Sequence, residues 1–161
     1  MATKLLLALA LLAAAPLARQ AGEGQGFDHE HVAWTAILKA HARGDRFDYK
    51  ALKESPGPLD AYLKTLHEVT PANLRSWKKE QRHAFWINAY NAHTIKKVVG
   101  GYPVDSIRDL SGLFGLRSVF DEEFIPMRAH HPEGDDDDLS LNDIEHGILR
   151  PVCKDARVHA A

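Results

Sequence analysis

From Trp77 to Val99 apolar residues recur at helical spacing, and Gly100-Gly101 with Pro103 closes the run. A helix of about six turns must find neighbours along its whole apolar stripe, so this stretch constrains the fold more than any other. At 100° per residue, Ile87, Asn88, Asn91, Ile95, Val98 and Val99 fall within one arc of about 120°. Four of these are large aliphatics, which predicts that Asn88 and Asn91 lie on the buried stripe, with Phe85, Trp86 and Tyr90 widening burial beyond it. Lys96 and Lys97 come near the C-terminal end, where the helix dipole favours cations. Each unmet amide group in a buried site costs about 1–3 kcal/mol, so two buried asparagines imply a specific polar network. Either they tie the helix to the backbone of a neighbouring loop, or they line a site and orient a substrate or catalytic group.

The flanking pattern predicts helices first and a mixed part afterwards. Asp28 is the expected N-cap of a helix carrying Val32, Trp34, Ile37 and Leu38, with Gly44 as its left-handed stop. Phe47-Asp48-Tyr49 reads as a short extended piece. Pro58 opens a second helix with Leu59, Tyr62, Leu63, Leu66 and Val69, and Thr70-Pro71 stops it and starts a short turn through Leu74. After the long helix, Ser106 to Arg117 reads as short helix and loop. Val119 to Arg128 and Leu139 to Leu141 are expected to pair as a β-hairpin around the polar loop His130 to Asp138. A last helix is expected from Asn142 to Leu149, stopped by Pro151. The expected class is therefore α+β: N-terminal helices, a β-hairpin and a further helix in a single domain spanning residues 28–161.

The first 26 residues differ from the rest. Lys4 precedes a Leu/Ala run from Leu5 to Leu17, too short to span a hydrocarbon core of about 30 Å. It matches a secretory signal peptide over residues 1–21, cleaved after Ala21 or Ala18, followed by a flexible leader over 22–27. Loss of Lys4 and Arg19 takes the net charge from −2 to −4. The expected location is exported, periplasmic or secreted, with no stable membrane span after cleavage. The near-balanced charge gives no global attraction to nucleic acid. One cysteine, Cys153, excludes an internal disulfide framework and a cysteine-based zinc site.

A second polar constellation lies in Leu139-Ser-Leu-Asn-Asp-Ile-Glu-His-Gly-Ile-Leu-Arg150. On a helix, Leu141, Ile144, Ile148 and Leu149 form the apolar face, and Asn142, Glu145 and His146 share another flank. A carboxylate beside an imidazole fixes a histidine tautomer for acid–base work or metal binding, although surface Glu and His are commonplace on helices. His130-His131 with the following aspartates reads as a solvated loop, since an EF-hand register starting at Asp135 puts Asp138 at the required glycine. The basic stretch Arg75, Lys78, Lys79, Arg82, His83 reads as a solvated helix start. No G-x-S-x-G, H-E-x-x-H or P-loop pattern is present, and no cofactor or metal is expected.

Phe85-Trp-Ile-Asn-Ala-Tyr-Asn-Ala92 with Tyr102-Pro103, then the Leu139–Arg150 motif with Arg157-Val-His159, resemble the hallmarks of the domain of unknown function 547 family. Trp34 on a helix and Phe47-Asp48-Tyr49 are similar to its opening, so the resemblance covers nearly all of residues 28–161. Family members occur in bacteria, often with a signal peptide, and in plants and animals beside other domains. In the family the Arg-x-His element continues into an Asn-Cys-x-x-x-x-Cys-Pro type segment. Here Ala161 stands about where that segment begins, so the resemblance implies an incomplete member. Two functions follow from it. In one, the chain is an envelope or secreted binding module with an unidentified protein or small-molecule partner, and its Asn, Glu, His and Arg residues form a buried polar network. In the other it is a Cys–His thiol hydrolase or transferase lacking its nucleophile. His146 or His159 would then be the base, Asn88 or Asn91 would orient it or stabilise an oxyanion, and Tyr90, Glu145, Arg150 and Arg157 would supply binding contacts.

Overall fold

A computed structural model describes residues 26–111, 118–134 and 137–152. The signal and leader up to residue 25, Cys153, Arg157 and His159 lie outside these described residues, as does most of the stretch from Ser111 to Arg117. The chain is mostly helical with one small hairpin, in an order compatible with α+β: a helix, the hairpin, then further helices.

Helix α1 spans Val32–His41. The expected cap is displaced: the residue preceding the helix is His31, held in the left-handed region at φ 48°. Asp28 still serves the helix start from a distance, its carboxylate accepting from the N–H groups of Glu30 at 3.0 Å and Val32 at 2.9 Å. Gly44 is left-handed as expected (φ 65°), but it forms the turn of a hairpin rather than the helix stop. Strand β1 (Ala42–Arg43) pairs antiparallel with β2 (Arg46–Phe47), with Ala42 opposite Phe47. Asp48 is not extended. It caps α2 (Tyr49–Glu54) by accepting from the Ala51 N–H at 3.0 Å.

Helix α3 spans Gly57–His67, and α4 spans Pro71–Ser76. Between them Thr70 and Asn73 form a reciprocal capping box, which ends one helix and begins the next. Helix α5 spans Lys79–Gly101 and packs against α2, α3 and the C-terminal helix. Its buried face is Phe85, Trp86, Ala89, Ala92, His93, Ile95 and Val99, with Val98 buried separately. Ile87 is exposed, and Asn88 and Asn91 are only half-buried. The buried stripe is thus rotated by roughly 100° from the arc of large aliphatics. Ala89 and Ala92 are fully buried because they permit close approach of neighbouring elements, and weighting bulk alone overlooks them.

The expected second hairpin reduces to one antiparallel bridge, Ile125 opposite Leu139, with N–H to carbonyl distances of 3.0 and 2.8 Å. Two local facts limit it. Pro126 has no N–H to continue the ladder, and the Ser140 N–H is committed to the Asp143 carboxylate at 2.8 Å. Val119–Asp121 is a 3-10 turn started by Ser118 rather than a strand. The final helix is wound as a π-helix over Asp143–Leu149 and continues into α6, Arg150–Val152. Its start is Ser140, not Asn142: the serine hydroxyl donates to Asp143 at 2.6 Å and accepts from the Asp143 N–H at 3.1 Å. Among the described residues no helix is long and apolar enough to cross a membrane.

Candidate functional site

The two polar motifs meet where α5 packs on the π-helix. The wider π turn separates the three polar residues that α-helical spacing puts on one flank. Glu145 pairs with Arg150 at 2.9 Å, five residues on, in line with the backbone bond from the Arg150 N–H to the Glu145 carbonyl. Glu145 also faces Tyr90 of α5. Burial raises the Tyr90 phenol above its ordinary pKa, and the Glu145 charge raises it further. Asn142 instead donates to the Asp121 carboxylate. His146 points outward, exposed, with no hydrogen-bond partner among the described residues. Tyr90, Glu145 and Arg150 are therefore brought together. Asn88 and Asn91 sit at the half-exposed rim of α5, without a hydrogen-bond partner among the described residues.

The start of the π-helix also forms the floor of an open polar cleft of about 260 Å³. Asp121 and Glu123 line it from one side, His131, Glu133 and Asp137 from another, and Ser140, Asn142 and Asp143 from the helix start. Among the described residues no Lys or Arg lines it. Asp143 is fixed by Ser140, and Asp121 is engaged by Asn142. The His131 side chain is mostly buried, with Nε2 3.9 Å from the Asp143 carboxylate. Its Nδ1 faces the Glu133 N–H at 3.4 Å. The loop carrying these residues is held down by Pro132, whose ring packs on Gly147 so closely that a Cβ there would stand 2.6 Å from it. The stretch expected to be a solvated loop is thus anchored, and its acids are gathered into a cleft. The readable signal was the Ser140-x-x-Asp143 capping box; the convergence with Asp121 and Glu123 depends on tertiary packing.

Histidines form the other concentration of chemistry. His31, 6% exposed, meets the Tyr62 hydroxyl at 2.8 Å. Burial lowers the His31 pKa and raises that of Tyr62. His130 Nε2 lies 2.7 Å from the Val69 carbonyl, a contact in which the ring N–H donates, and its ring packs edge-on against Trp86. His93, 3% exposed, faces His67 with their Nε2 atoms 3.2 Å apart. Burial, helped by His67, lowers the His93 pKa to about 3. Sequence reading missed His93, although its i, i+4 relation to Ala89 and i, i+7 relation to Trp86 put it on the buried face. Among the described residues no group of three or more His, Cys, Asp or Glu could hold a metal ion.

A family model described as "Protein of unknown function, DUF547" matches residues 74–161, more than half of the chain. The chain belongs to this family. The match takes in α5, the acidic cleft and the π-helix. No curated protein and no solved structure matches the chain.

Proposed function

We propose that this chain is an exported binding module that takes a cationic group, an amine or a basic side chain, into the acidic cleft. The observation that carries this reading is the cleft itself, with five carboxylates from Asp121, Glu123, Glu133, Asp137 and Asp143 and no Lys or Arg among its described lining residues. A cavity of about 260 Å³ suits a group of side-chain size rather than a large apolar ligand. Asp143 and Asp121 are oriented in advance by Ser140 and Asn142, which lowers the ordering cost of binding. Export rests on the basic start and apolar run of residues 1–21.

Calorimetric titration with spermidine and with a tetralysine peptide tests the ligand chemistry and separates a free amine from a peptide side chain. Glu133→Gln with Asp137→Asn leaves the helix cap intact and should weaken the preferred probe by roughly tenfold. If neither probe binds, or the double variant binds as well as the parent, the reading fails. Export is tested separately. Protein expressed from its own gene should be recovered outside the cytoplasm with Arg19 or Gly22 as its first residue.

A further inference from the structure

We propose that His67 and His93 form a two-imidazole site for a divalent transition-metal ion, Zn²⁺ in the first instance. His67 is the last residue of α3, and His93 lies in the middle of α5, so rigid elements present both rings. Their Nε2 atoms face each other at 3.2 Å. Two imidazole ligands on tetrahedral zinc, with bonds of 2.0–2.1 Å, stand about 3.3 Å apart, so the nitrogens already sit at ligand spacing without backbone movement. A buried imidazole needs a partner, and His93 has only the ring of His67 among the described residues.

The surroundings favour a cation. Burial lowers the pKa of both rings, so both are neutral at physiological pH and a metal displaces no charge-bearing proton from them. Asp138 is close enough to act on His67 with its negative charge. Lys97, one turn beyond His93, is paired with Glu122 and lies over the Phe124 ring. His67 is exposed, which gives an entry path, and His93 is enclosed, with Phe124 at 6.5 Å between ring centroids. Among the described residues no third ligand completes a cage, so water fills the remaining positions and the ion keeps open coordination. Imidazole suits zinc, nickel and copper, and the order of affinity among them follows the usual divalent series.

Zinc is titrated into the untagged full chain in competition with a chromophoric chelator, at neutral pH. One saturable zinc is expected for the parent and for His146→Ala, which removes an exposed histidine elsewhere. His67→Ala leaves the apolar face of α3 intact and should weaken binding by about tenfold or more, with an unchanged circular dichroism spectrum. The ring-nitrogen NMR spectrum supplies a second readout. Without metal one of the two Nε2 atoms carries a proton; with zinc neither does. Absence of saturable binding, undiminished affinity in His67→Ala, or a retained Nε2 proton at saturation would reduce the pair to a hydrogen bond and overturn the proposal.

Discussion

At the scale of single residues, Gly147 shows how the cleft is held in place. A Cβ at this position would stand 2.6 Å from Pro132 Cγ and 3.0 Å from its Cβ. A proline ring cannot swing aside as a long side chain can, so Gly147→Ala must either lift the loop that carries His131, Glu133 and Asp137 or distort the π-helix. A loss of about 1–3 kcal/mol is expected in urea denaturation, together with weaker binding of cationic probes. Gly57 is the control. It begins α3, a methyl group added there would meet nothing within 4 Å, and its φ is not positive. Gly57→Ala should be neutral or stabilise by up to about 1 kcal/mol. Equal effects at the two positions would show that contact with Pro132 is not what makes Gly147 necessary.

At the scale of elements, α5 separates what was legible in the sequence from what was not. Its end at Gly100-Gly101, the stop of α3 at Thr70-Pro71 and the proline near the start of α3 were readable, because capping and Gly/Pro effects act within a few residues. Which face of α5 is buried was not readable from bulk. The close approach of α2 and α3 selects Ala89 and Ala92, and Ile87 is left exposed. Ala92→Leu should therefore overpack the interface and cost about 1–3 kcal/mol, whereas Ile87→Ser should stay within about 0.5 kcal/mol of the parent. The reverse order in thermal or urea unfolding would restore the aliphatic arc as the buried face. The hairpin failed for a local reason that was visible: Pro126 and the Ser140 capping box leave one residue pair to bridge. The candidate site divides in the same way. Tyr90, Glu145 and Arg150 come together from the two motifs. The cleft joins segments far apart in sequence, and the π winding that aims Asn142, Glu145 and His146 at different surroundings has no simple periodic signature.

At the scale of the whole molecule, histidine burial makes the fold sensitive to acid. His31, His67, His93 and His130 are distributed over the N-terminal loop, α3, α5 and the loop before the cleft, and burial is the largest cause of a lowered pKa at each. The unfolded chain therefore binds protons more readily than the folded one below the ordinary histidine pKa of about 6.5. Their contribution to stability is full above that pH and is lost progressively as pH falls toward the folded-state values, about 3 for His93. Each unit of separation corresponds to about 1.4 kcal/mol at a fully buried group, and to less at exposed His67. Urea midpoints measured with chelator present should be level from pH 8 to about 7 and fall steadily toward pH 4.5. His93→Leu removes the most strongly shifted group, so its midpoint should decline less over the same range, whatever its stability at pH 8. His67 faces solvent and can replace its lost partner with water, so it does not transfer the cost elsewhere. Parallel pH profiles for parent and variant would mean that His93 stays neutral in the unfolded chain as well, or that the acid sensitivity arises outside the α3–α5 seam.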